Sequence, residues 1–238
     1  MERLVVSSLK FEEIEKLLCL KERRIFNFVN SHDLYQFVNQ PLFRKAILRK
    51  ENINLIDGFV LSLWASISNF RIVRRLKGPR FTKEFFENKG AGKYKHLFIG
   101  FEKQDIDKIL KRFDYLNKNK IRYYNPPHIT EVQFSKTEVD KIAEMINNFG
   151  ANCVWVGIGC PKQNIHSEDL FGKTKAKFFF NVGAAMDFLI QKKKEAPKLI
   201  SKLGIEWLYR LITDFHYSKK KVWRSFVSIG YLNQVRLK

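Results

Sequence analysis

Apolar positions along this chain recur in two alternating rhythms. Short runs rich in β-branched and aromatic residues predict strands over Arg24–Val29, Ile53–Ile56, His96–Phe101, Ile121–Tyr124, Cys153–Ile158 and Lys177–Val182. Between them lie longer stretches with apolar residues three and four apart, which predict helices over Phe11–Leu20, Leu42–Arg49, Phe81–Asn88, Asp105–Asn117 and Lys136–Phe149. In the last of these, Val139, Ile142, Ala143, Ile146 and Phe149 share one face. Alternation of this kind predicts an α/β fold with a mostly parallel sheet flanked by helices, since parallel strands need crossovers long enough to hold a helix. Neither an internal repeat nor a low-complexity linker stands out. Charge and proline interrupt the pattern at Gln191–Pro197, dividing a core over 1–191 from a basic, aromatic, helical appendage over 192–238.

Composition sharpens this picture. With 238 residues, 45% hydrophobic content and 22 Phe, the chain can bury a large core, and wholesale disorder is excluded. A formal charge of +20 calls for an anionic partner: nucleic acid, anionic lipid or a phosphorylated substrate. Residues 191–238 hold 12 Lys+Arg against 3 Asp+Glu, so +9 of that charge sits in the last fifth. Cys19, Cys153 and Cys160 have neither metal nor disulfide spacing, which fits core packing in a reducing compartment. The opening Met1-Glu2-Arg3 does not read as a signal peptide. Asp57 and Asn181 break the longest apolar runs, so a membrane-spanning helix is not expected.

Candidate chemistry collects where apolar runs end. Cys153–Ile158 runs into Gly159-Cys160-Pro161-Lys162-Gln163, and Phe178–Val182 into Gly183-Ala184-Ala185-Met186-Asp187. Glycines there let backbone approach a ligand, and free N–H groups before a helix favour an anion, although an ordinary strand-to-helix turn has the same composition. Asp57-Gly58 follows another apolar run; its carboxylate reads as a ligand-facing group or as a helix N-cap before Phe59–Ile67. Asn30-Ser31 reads locally as a turn or cap. Arg75 lies in a basic cluster with Arg71, Arg74 and Lys77, suited either to phosphate or to solvent. Asp105-Ile106-Asp107 spells a metal–diphosphate motif, yet it opens an amphipathic helix, where first-turn acids are favoured in any case. Five scattered His residues offer no pair at metal spacing.

These blocks, together with Ala196-Pro197 and Gly204-Ile205-Glu206-Trp207-Leu208-Tyr209-Arg210, resemble the WecG/TagA/CpsF family of bacterial glycosyltransferases from about Ile25 to Arg210. The resemblance implies a Rossmann-like core with Asp57 as catalytic base. Asn30, Arg75, Gly157, Gly159, Pro161, Gln163, Gly183 and Asp187 would bind substrate, Asp187 through a uracil ring, and Tyr124 with Pro126-Pro127 would pack near the base. Arg210 matches the family's Trp-Leu-Tyr-Arg, and Arg224 is an active-site arginine by position. The chain departs from the family pattern at Phe28, where Thr is usual, at Pro79, where an acidic residue is lost, and at Asn164, where Glu is common.

The expectation is therefore an inverting, metal-independent hexosyltransferase with no cofactor. It would carry an N-acetylmannosamine-type or other hexose from a UDP-sugar to an undecaprenyl-diphosphate-linked saccharide. The resemblance places it peripherally at the inner face of the bacterial membrane, its appendage on anionic lipid, and allows a homo-oligomer. Two alternatives stay open here: a non-catalytic UDP-binding relative, and a basic nucleic-acid-binding protein, which the clustering of polar loops at strand ends disfavours.

Overall fold

The computed structural model describes residues 2–192 and 222–238, together with 197, 200 and 209. Its centre is a six-stranded, wholly parallel sheet formed by β2 (Arg24–Val29), β3 (Asn52–Ile56), β4 (His96–Ile99), β5 (Ile121–Tyr124), β6 (Cys153–Val156) and β7 (Phe178–Asn181), in the order β3-β2-β7-β6-β4-β5. The α/β expectation holds. So do the bounds of β2, β5 and the helix α7 (Lys136–Phe149). That helix starts where the Ser135 hydroxyl accepts the Glu138 N–H (3.2 Å) and stops at Gly150, whose φ of 68° ends it in a left-handed turn.

Helices cover both faces. On one, α1 (Phe11–Cys19), α5 (Gly78–Glu87), α6 (Lys103–Arg112) and the short α9 (Ala185–Leu189) pack on Phe26, Phe98, Trp155 and Phe180. Trp155 is the hub, its ring 4.4 Å from Phe180 and 4.9 Å from Phe85. On the other, α7 and α8 (Lys162–Lys173) cover Ile25, Leu97, Val154 and Phe179. Next to β3, a third cluster takes in α2 (Ser31–Asn39), α3 (Pro41–Ile47) and α4 (Phe59–Ser68). Here β1 (Leu4–Val6) pairs in parallel with β8 (Val235–Leu237), so the far end of the predicted appendage returns to the core.

Helices α2 and α8 escape a reading based on apolar spacing because they bury polar side chains: Ser31, His32, Asp33 and Gln36 in one, Gln163, Asn164, His166 and Ser167 in the other. Asp105 is also accounted for. Its Oδ2 accepts the Glu102 N–H (3.1 Å) and its Oδ1 pairs with Lys192 Nζ at 2.5 Å, so this carboxylate starts α6 and holds a neighbouring cation.

Among the described histidines, His96 and His166 are tied into the core by ring contacts and hydrogen bonds. His96 accepts the Trp155 indole N–H at Nδ1 (3.1 Å), with Nε2 3.0 Å from the Ala91 carbonyl, while His166 stacks on Phe134 at 3.9 Å and accepts its backbone N–H. Burial pushes both imidazoles down to about 4. A folded-state value below the unfolded one means that the unfolded chain binds the extra protons as pH drops. Their contribution to stability is thus present above about pH 6.5 and lost progressively toward pH 4. The thermal midpoint should fall through this interval, which a pH series of calorimetric scans would read; a flat profile from pH 6.5 to 5 would contradict the assignment.

Candidate functional site

Four neighbouring strands, β3, β2, β7 and β6, end on the same edge, and each hands over to a helix there. Parallel sheets present ligand-facing groups at this carboxyl edge. The turns surround a cavity of about 510 Å³, closed at the sides by Arg75, Lys77, Gly78 and Pro79 and by Val222, Ser225, Phe226 and Ile229. That volume suits a small-molecule ligand.

At the β2 end, Asn30 caps α2: its Oδ1 accepts the His32 N–H (2.9 Å), and Asp33 Oδ2 accepts the Asn30 N–H (2.9 Å). The cap occupies the amide oxygen, so Asn30 offers a cavity ligand its NH₂ as donor. At the β3 end, the Asp57 and Gly58 N–H groups both reach the Val29 carbonyl (2.9 and 3.2 Å), which extends the strand pairing and sets Asp57 beside Asn30. Space at Gly58 is tight, because a Cβ there would sit 3.0 Å from the Asn30 Cα and Cβ. Gly58, not Asp57, is the N-cap of α4, so the cap reading of Asp57 does not hold; its residue lines the cavity.

The β6 and β7 turns are joined through Gln163. Its Nε2 donates to the Asn181 carbonyl (3.3 Å), while its buried Oε1 has no hydrogen-bond partner among the described residues and sits 3.3 Å from where a Gly183 Cβ would be. Gly183 is held at φ 50°, so an alanine there would be both strained and crowded. Gly157, Gly159, Asn181 and Asp187 complete this wall. The cavity therefore has an unmet acceptor on Gln163, carboxylates on Asp33, Asp57 and Asp187, and cations on Arg75 and Lys77.

Beneath the turns, a ladder of amides fixes their spacing. Asn27 Nδ2 donates to Asn52 and Asn54 (both 2.8 Å), and its Oδ1 receives Asn164 (2.8 Å) and Asn181 (2.6 Å). Asn181 Oδ1 in turn accepts the Ser167 hydroxyl (2.5 Å). Asn164 thus faces the sheet and is absent from the cavity lining, which explains why this position does without a carboxylate. Phe28 supplies an apolar floor, its ring 5.1 Å from Phe81, and Pro79 occupies the first turn of α5.

The edge gathers Asn30, Asp57, Arg75, Gly157, Gly159, Gln163, Gly183 and Asp187 around one space. It does not gather all the expected residues. Pro161 is the N-cap of α8 and lies outside the lining. Arg224 is turned to α2, its guanidinium 5.4 Å from the Tyr35 ring, while the helical turn over 222–227 gives the cavity Val222, Ser225 and Phe226 instead. Tyr124 is likewise remote, donating to Glu138 (2.7 Å) on α7. Arg210 falls outside the described residues. Sequence reasoning assigned no site role to Asp33 or Asn181 and named Lys77 only within the basic cluster around Arg75; Asp33 had a local signal, three residues after the capping Asn30.

The family model for glycosyl transferases of the WecG/TagA/CpsF family matches residues 3–233, nearly the whole chain.

The amide ladder can be tested directly. Asn164→Asp would set a carboxylate oxygen against Asn27 Oδ1 and remove a buried donor, and should cost about 3 kcal/mol. A urea titration would show this as a lowered midpoint at unchanged slope, whereas a change within error would mean that the ladder does not hold α8.

Proposed function

Because the chain belongs to the WecG/TagA/CpsF family of glycosyl transferases, we propose that it moves a hexose from a UDP-sugar to a lipid-linked saccharide, with inversion and without a metal. The family gives the transferase class and the setting, polysaccharide biosynthesis. The observation that carries the rest is the convergence of Asp57, Asn30, Gln163 and Asp187 on a single cavity that also holds Arg75 and Lys77.

In this reading the β6 and β7 turns hold the donor. The small residues Gly183 and Ala184 admit the nucleotide, the Gln163 acceptor and the Asp187 carboxylate meet donor N–H and hydroxyl groups, and Phe28 backs the apolar side. An acceptor hydroxyl oxygen bonds to the anomeric carbon as its proton passes to Asp57. The bond from that carbon to the diphosphate oxygen breaks, and its electron pair leaves with UDP. A single displacement of this kind inverts the anomeric configuration. Charge grows on the diphosphate as the bond lengthens, and Arg75 and Lys77 are the described cations of the cavity that can meet it. Described helices include none long and apolar enough to cross a membrane, so a lipid-linked acceptor would be met at a surface.

UDP should raise the thermal midpoint where ADP does not, with the same shift in the presence of EDTA. Asp57→Asn should lower kcat by roughly 10²–10⁴-fold while leaving that UDP shift intact, since a base acts on the proton and not on nucleotide affinity. Lack of a UDP response would overturn the donor assignment, and an Asp57→Asn enzyme of undiminished turnover would remove Asp57 as base. Arg75→Gln should reduce kcat roughly tenfold or more through the leaving group, measured as UDP release at saturating donor.

A further inference from the structure

Helix α4 has two apolar faces, and among the described residues one packs on the core and the other is exposed. Leu61 and Ala65 point into the core beside β3. Val60, Leu63, Ile67 and Phe70 form a second stripe at spacings of three, four and three. Val60 lies at the cavity; Leu63 is 48% exposed, Ile67 65% and Phe70 98%, and Ile72 beyond them 89%.

This presentation is held in place. The Phe70 and Arg71 N–H groups bond to Ile67 (3.3 Å) and Ser66 (3.2 Å), the double closure that ends many helices with a glycine in left-handed backbone. Here that position, at φ 49°, is a phenylalanine. A bulky residue at positive φ with its ring in water works against the stability of the isolated protein twice over. Val73 N–H to the Ser66 hydroxyl (3.0 Å) and Leu76 N–H to Ile56 (2.8 Å) then return the chain to the core. Next to the exposed pair is a cleft of about 280 Å³ lined by Lys10, Glu13, Arg71, Arg74 and Lys238, with Glu13 accepting the Lys10 N–H (2.7 Å).

We infer that the end of α4 and the following loop, residues 63–74, insert into an anionic phospholipid surface, with Phe70 and Ile72 below the headgroups and the basic cleft on their phosphates. Interleaved apolar and cationic side chains are what such a surface selects. A second copy of the chain fits less well, because self-pairing would set Arg71 and Arg74 against like charge on a molecule of formal charge +20. Arg75 and Lys77 follow this loop directly and line the main cavity, so docking here would bring the cavity mouth to the lipid. The purpose of such docking rests on the proposed lipid-linked acceptor; the docking itself does not.

The test is vesicle co-sedimentation of the full chain with phosphatidylglycerol–phosphatidylcholine vesicles, beside pure phosphatidylcholine. Binding should require phosphatidylglycerol, and Phe70→Gly with Ile72→Asn should weaken partitioning roughly tenfold or more. Phe70→Gly alone should keep or raise the thermal midpoint, since glycine relieves the backbone, which separates lost docking from lost folding. The inference is overturned if the wild-type chain does not pellet with anionic vesicles, or if the double variant pellets as well as wild type. It is also overturned if inorganic phosphate competes away all binding while the apolar changes have no effect, or if they abolish concentration-dependent self-association and not vesicle binding. The UDP thermal shift, measured on the same variants, should be unchanged. Its absence from wild type would count against the donor assignment and leave the docking result standing.

Discussion

Asn27 sits at the point on which the candidate site depends. Its one carboxamide is hydrogen-bonded to β3, β7 and α8 together, through Asn52, Asn54, Asn181 and Asn164. Parallel strands stacked by apolar contacts alone could slide or tilt with little change in buried area. A buried amide that loses its partner pays a desolvation penalty, so four directional bonds at a single residue pin three elements with respect to each other. The turns that follow those elements contain Asn30, Asp57, Gln163 and Gly183, and their spacing is inherited from the ladder below.

The aromatic side of the sheet has the opposite character. Trp155, Phe180, Phe98 and the α5 phenylalanines bury area without specifying direction, and the indole-to-His96 bond is a polar anchor among them. The face that has the amide ladder also has an apolar cluster, around Ile25, Leu97, Val154 and Phe179, so directional bonds are added there to burial. Aromatic packing accounts for Phe28 in the cavity floor: the residue belongs to the aromatic cluster first, and the cavity gains an apolar wall as a consequence.

Around the cavity mouth, charge and apolar surface are close together. Arg75 and Lys77 turn inward, while Arg71 and Arg74 stay outside with Phe70 and Ile72, within one short connection between α4 and α5. Part of the chain's strong positive charge thus lies at two separate places, one in the cavity and one on the surface beside it, and a net charge alone could not tell them apart.

The sequence by itself determined the α/β class and most elements, because apolar spacing is the physical cause of which face a strand or helix buries. Arg24–Val29, Ile121–Tyr124 and Lys136–Phe149 have the bounds their patterns predict. It also determined that Asp57, Gly157–Gln163 and Gly183–Asp187 end apolar runs, and a parallel sheet places run ends on one edge. Tertiary structure alone decided what those residues face. Helices α2 and α8 bury polar side chains whose partners are distant in the chain, so periodicity could not find them. Asn164 turned to Asn27, Arg224 to Tyr35 and Tyr124 to Glu138 because each found a partner across the fold, 137, 189 and 14 residues away in sequence. The direction of a side chain is set by whatever packs against it, and long-range packing is not written in local spacing.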